Sequence, residues 1–244
     1  GRLEINGNIY TSNNITATYG VAVQNRYTVL PVTEEVLLNS GYVIDMSNSF
    51  GSVGIQSLAG ARAVNKGKVI VGNSSSTSAG IGILAESSTT NHTSVVNDSG
   101  AVIEMPYAGI GIYLDSLELG GSVTNAGTIS STQANALGIY AKMSSAGVLG
   151  APITAIINTG SINLSDNGFG IFTDNSTITN SGNITVDNPG TNSIIAIYGG
   201  RNSIINNTGG NISVGEGGIA FYGNNTAMTI SGGNFSTEGG TLIY

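Results

Sequence analysis

The chain has 244 residues, of which 37 are glycine and none is cysteine or tryptophan, and only 9% are charged, where an average globular domain carries roughly a quarter. Its formal charge of −7 and seven singly spaced basic residues leave no stripe that could neutralise phosphates, so nucleic acid is excluded as an expected partner. Period-2 runs of Ile and Val among the Ser, Thr, Asn and Gly supply enough apolar surface to argue against disorder.

No apolar run reaches the ~18–20 residues of a spanning helix. The opening Gly1-Arg2-Leu3-Glu4-Ile5 has none of the regions of a signal peptide. The lack of cysteine suits an exported chain that crosses envelopes unfolded.

A two-part phrase returns along the chain at intervals of roughly 27 residues, the mark of a solenoid. After a loose copy at Asn6, its first half reads Asn39-Ser40-Gly41-Tyr42-Val43 and Asn65-Lys66-Gly67-Lys68-Val69. A second loose copy begins at Asn97. Then come Asn125-Ala126-Gly127-Thr128-Ile129, Asn158-Thr159-Gly160-Ser161-Ile162 and Asn180-Ser181-Gly182-Asn183-Ile184, with looser copies at Asn207 and Ser231. The second half alternates small and branched residues. It begins without an aromatic at 20–23, 53–55 and 80–84. It continues as Gly109-Ile110-Gly111-Ile112-Tyr113, Ala136-Leu137-Gly138-Ile139-Tyr140, Gly168-Phe169-Gly170-Ile171-Phe172, Ile194-Ile195-Ala196-Ile197-Tyr198 and Gly218-Ile219-Ala220-Phe221-Tyr222, closing on Leu242-Ile243-Tyr244.

Each repeat predicts three short strands, best defined at Ser122-Val123-Thr124, Thr128-Ile129-Ser130 and Leu137-Gly138-Ile139-Tyr140. Period-2 spacing and β-branched residues exclude helix, and the lack of regularly placed hairpin turns argues against a sandwich. The reading is an all-β parallel β-helix of roughly eight to nine coils, at ~4.8 Å per coil a stack on the order of 40 Å tall. Ile129, Ile162 and Ile184 are expected to stack inward as one ladder, and Ile112, Ile139, Ile171 and Ile197 as another. Gly41, Gly67, Gly127, Gly160 and Gly182 are expected at sharp corners for their backbone freedom. The Asn two residues earlier tolerates left-handed geometry and is expected to bond its equivalents as a ladder, the alternative being solvated turn residues. Since solenoids need polar end caps and a repeat is under way at both Ile5 and Tyr244, residues 1–244 read as one stretch of a longer chain.

Longer excursions at 10–19, 24–38, 87–94 and 142–152 are where a solenoid carries coil-specific function. Glu86, Asp115, Lys142 and Asp174 share one offset in successive coils. Carboxylates two coils apart would be ~9.6 Å from each other, near the upper limit for inverting glycosidases. Lys142 between them points instead to a surface ion-pair ladder, and no Arg or His in neighbouring coils is expected to complete a site, so no catalytic residue is assigned. The single histidine His92 has no cysteine or second histidine with which to hold a transition metal, the glycine pairs continue strands and do not open a dinucleotide loop, and no cofactor is expected. The aromatic series from Tyr113 to Tyr244 forms the other candidate. With Ile110 and Ile112 inward and Gly109, Gly111 and Tyr113 outward, it would be a flat strip of small residues edged by rings, suited to sugars or to protein anchors, or rings that only shield the corner.

The string Ile178-Thr179-Asn180-Ser181-Gly182-Asn183-Ile184-Thr185-Val186 with the aromatic phrase after it resembles the passenger repeats of bacterial type V autotransporters, most of all large fusobacterial outer-membrane adhesins. The resemblance covers about 5–244. It implies a right-handed β-helix displayed on the outer membrane's extracellular side, membrane attachment only through a C-terminal barrel beyond these residues, and adhesion to host glycans, protein receptors or other bacteria. The reading that results is a non-enzymatic adhesin segment. Its candidate binding residues are Tyr27 in the 24–38 excursion, Lys142 beside the 142–152 excursion, and Tyr113, Tyr140, Tyr198 and Tyr222 on the strip, with the loops favoured. The alternatives are a carbohydrate-active enzyme using Asp115 and Asp174, and a pure spacer within a larger adhesin.

Overall fold

The computed structural model describes residues 2–10, 20–26, 34–49, 51–73, 78–88, 91–116, 120–143, 154–165, 167–187 and 194–244. Successive coils place one strand on each of three faces, as in the coil Gly121–Asn125, Thr128–Ser131 and Leu137–Met143. The third face is a nine-stranded sheet running from Val21–Arg26 to Thr241–Ile243. The first and second faces join into a 16-stranded sheet, because Ile204–Val214 and Ala227–Thr237 run from one face to the other without a break. Pairing is parallel and in register, so equivalent residues of consecutive coils stand over one another: Val123 pairs with Ile156, Ile129 with Ile162, and Ile139 with Ile171. The parallel β-helix and its three strands per coil are as the repeat predicts, apart from these two long strands.

One continuous core fills the stack. The second face contributes Ile103, Ile129, Ile162, Ile184 and Ile212, and the third Ile83, Ile112, Ile139, Ile171, Ile197 and Phe221, all essentially inaccessible. Each such isoleucine contributes about 1.5–3 kcal/mol by leaving water. Repetition works because a vertical neighbour of identical shape fills the space left above each side chain.

Two expectations about the corners need correction. Of the five corner glycines, only Gly41 has a positive φ, 82°. At Gly67, Gly127, Gly160 and Gly182 a Cβ would collide with a carbonyl oxygen of the preceding coil, on Tyr42, Ala101, Gly127 and Gly160 respectively. Close stacking, not backbone angle, demands glycine there. The corner asparagines Asn65, Asn125, Asn158 and Asn180 likewise lack left-handed φ and close their strands in extended geometry. The copy at Asn39 is shifted by one residue: Leu38, not Asn39, occupies the register of Asn65.

Candidate functional site

The outer surface of the third face is built from one local device. Along Gly109–Ser116, burial runs Gly109 in, Ile110 half-exposed, Gly111 and Ile112 both in, Tyr113 half-exposed, Leu114 in and Asp115 half-exposed. Two consecutive inward residues require a bend at Gly111-Ile112, and the ladder pairing passes over Gly111. The bend packs glycine against the second face: a Cβ on Gly111 would stand 2.5 Å from Cγ2 of Ile129, and one on Gly138 or Gly170 would stand 2.6 Å from the same atom of Ile162 or Ile184. Gly109 and Gly111 are therefore buried rather than outward, and Ile110, expected inward, is the residue that shows. In an unbroken strand alternation would have put it inside; the bend shifts the phase.

As a consequence the strip is apolar, not small. One ladder consists of Val53, Ile81, Ile110, Leu137, Phe169, Ile195 and Ile219, in register from coil to coil and half-exposed except for Ile195. Beside it stand the rings. Tyr113–Tyr140, Tyr140–Phe172, Phe172–Tyr198, Tyr198–Tyr222 and Tyr222–Tyr244 have centroids 5.2, 5.5, 4.3, 5.1 and 5.0 Å apart, four of the five pairs stacked and Tyr140–Phe172 edge-on. Phe169 touches Phe172 edge-on at 5.5 Å and joins the ladders. Towards the N-terminus the ring positions are taken by Leu84, Gln56 and Gln24, and Gln24 Nε2 donates to Gln56 Oε1 at 2.7 Å.

A charged rail borders the rings. Asp115 pairs in register with Glu86 on one side and Lys142 on the other. Lys142 Nζ lies 3.3 Å from Asp115 Oδ2 and 5.7 Å from the Tyr113 ring centroid, and the Tyr113 hydroxyl donates to the same carboxylate at 3.4 Å. Hydrogen bonding to Tyr113, then to Asp115, raises the pKa of the Lys142 ammonium above its usual range. Burial raises that of the Tyr113 phenol, with the Lys142 hydrogen bond opposing and the Asp115 charge adding. The Tyr198 phenol is raised by burial and by Asp174. Asp174 is paired in turn: Arg201 Nη2 is 3.0 Å from its Oδ2.

Sequence reading missed Arg201. It sits on a turn just beyond the third-face strand, at φ 27°, and the available signal was its spacing of one period, 27 residues, from Asp174. Asp115 and Asp174 each engage a cation of their own, Lys142 and Arg201, with Lys142 on the rung between them, so the border is a ladder of ion pairs. Among the described residues no three His, Cys, Asp or Glu side chains gather as a metal site, and His92 is exposed. Tyr27 and the excursion residues 11–19, 27–33, 89–90 and 144–152 lie outside the described residues.

Residues 1–209 match the family model of the BigA third pectate lyase-like domain. No curated protein and no solved structure matches the chain.

Proposed function

This chain belongs to the BigA third pectate lyase-like domain family, right-handed β-helix domains of BigA-type surface proteins, and from that premise we propose that it is a non-enzymatic adhesive segment whose third face is the contact surface. The six rings spaced 4.3–5.5 Å apart, four of the five neighbouring pairs stacked, beside an apolar ladder carry the reading. Stacked rings cover one another's faces, so what they present outward is a row of ring edges at the coil spacing beside the half-exposed apolar ladder, an arrangement suited to the CH groups of successive sugars in a chain-like glycan. Large aromatic anchors supply much contact energy at little entropic cost. Lys142, Asp115, Asp174 and Arg201 along the border can hydrogen-bond sugar hydroxyls. Their mutual pairing supports binding over bond cleavage, which needs a group free to exchange a proton.

The display that fits this role is a type V passenger like those of fusobacterial adhesins, on the extracellular side of the outer membrane and held by a C-terminal barrel encoded beyond these residues. Its partner is a glycan of a host cell or of another bacterium. The loops favoured by composition are the competing contact surface.

Changing Tyr140, Tyr198 and Tyr222 together to Ser tests it by binding to a glycan array and to whole cells. Binding is expected to fall at least tenfold with the melting transition retained. Undiminished binding by this variant, together with loss on shortening 142–152, would move the site to the loops.

A further inference from the structure

The corner between the first and second faces holds a second built feature. In the coil of Lys66, two residues, Lys66 and Gly67, carry the chain from Asn65 to Lys68. Both neighbouring coils use four: 39–42 lie between the partners of Asn65 and Lys68 in the preceding coil, and 98–101 between their partners in the following one. The next coil returns to two, Ala126 and Gly127. The longer corners turn outward at Gly41 and Gly100, with φ of 82° and 79°, and nothing stands within 4 Å of either missing Cβ. Gly67 is pressed beneath the carbonyls of Tyr42 and Asn39.

A recessed coil between two projecting ones makes a notch. Its floor is Lys66-Gly67-Lys68, residues 40–43 form one wall, and Ser99, Gly100 and Val102 form the other, enclosing about 340 Å³. Two strand spacings set the walls roughly 9.6 Å apart, and the volume falls at the small end of ligand pockets.

The lining is chemically mixed. Lys66 Nζ is 3.9 Å from Asp98 Oδ2, and both side chains are almost half exposed, a loose pair that an incoming anion can replace at small cost. Lys68 is held more closely, with Nζ 2.6 Å from Oε2 of Glu104, which stands outside the residues that line the notch. Tyr42, Val43 and Val102 are half-buried and give the walls an apolar lining. Two ammonium groups on the floor, one of them loosely paired, and apolar walls of this width together match one pyranose ring that bears a carboxylate. A bare phosphate would leave the walls unused, and a neutral sugar would leave Lys66 unused. We propose that this notch binds a single carboxylated sugar residue, with its carboxylate on Lys66 in place of Asp98 and its hydroxyls toward Lys68. The site is separate from the aromatic strip and does not depend on that reading.

Titration of the whole chain with glucuronic acid and with glucose, which differ by the carboxylate, tests the proposal. Saturable glucuronate binding is expected, at least tenfold stronger than that of glucose. Lys66→Gln should bring the two sugars level with an unchanged melting transition. Deleting Ser99 and Ala101, which leaves Asp98-Gly100 as a two-residue corner, should abolish binding by removing a wall. If that deletion unfolds the coil, Lys66→Gln still decides. The proposal is overturned by absent glucuronate saturation, by equal affinity for glucose, or by a preference that survives Lys66→Gln. It is also overturned if the preference disappears when Tyr140, Tyr198 and Tyr222 become Ser, because the sugar would then lie on the strip.

Discussion

The asparagine corner and the aromatic strip are both ladders of like residues produced by the same repeat, yet they obey opposite rules. At the corner, Asn65 donates to Asn97, and so on through Asn125, Asn158, Asn180 and Asn207, with Nδ2 to Oδ1 distances of 2.7–2.9 Å. All six are inaccessible to solvent. A buried amide needs partners for both its oxygen and its nitrogen; here the neighbouring coils supply most of them and the corner backbone the rest, and Asn holds this register without interruption from Asn65 to Asn207. The strip faces water, and its ring positions accept Tyr, Phe, Leu and Gln in turn. A ladder that stabilises from within is uniform because its inner members each depend on two others; one that faces water is free to vary.

That contrast can be broken from the inside first. Ile129→Asp would place a carboxylate in a column with no exposure, so the coil must open or the charge must be desolvated. The expected loss is at least about 4 kcal/mol with broken cooperativity, read by denaturant unfolding. Asn125→Ala comes next: it leaves Asn97 Nδ2 only its long bond to the Thr128 carbonyl and takes the donor from Asn158 Oδ1, and losing buried partners in this way costs about 2–3 kcal/mol. Gly138→Ala should cost about 1–3 kcal/mol through overpacking against Ile162, and less if the sheet relaxes as it does around Ala196 and Ala220, which hold this position in later coils. On the outer side, Tyr140→Ser removes two ring contacts at about 1 kcal/mol, with its main effect expected on binding. Asn234→Ala breaks an amide bond of 2.9 Å on an exposed ladder and should stay within about 0.5 kcal/mol. If Asn125→Ala and Asn234→Ala proved equal, burial would not be what separates the two kinds of ladder.

The smallest effect concerns alkaline pH. Tyr113 and Lys142 both titrate above their ordinary values in the fold, so the unfolded chain releases these protons first. Their contribution is complete below the unfolded values of about 10 and 10.4 and is lost as pH rises from there towards the folded values. Melting measured from pH 8 to 11 should fall more steeply in the native chain than in a Tyr113→Phe, Lys142→Gln variant. Parallel curves would mean that the rail is too exposed to matter.

The period, the parallel stacking and the inward isoleucines were legible in the sequence by itself, because a parallel in-register sheet puts like over like and burial then repeats with the chain. The buried amide ladder was legible as one of two readings, and only the tertiary structure decided between them, since burial of Asn125 depends on how Asn97 and Asn158 sit above and below it. Local periodicity misplaced the outward face of the third strand: Gly111 and Ile112 both face inward at a bend packed so closely on Ile129 that a Cβ at Gly111 would stand 2.5 Å from it, a contact with the second face of the next coil. It also missed Arg201, whose partner lies a full period away in sequence yet in hydrogen-bonding contact in space. The notch beside Lys66 followed the same logic. Its residues read as ordinary corners one by one, and only stacking a two-residue corner between two four-residue corners makes a cavity.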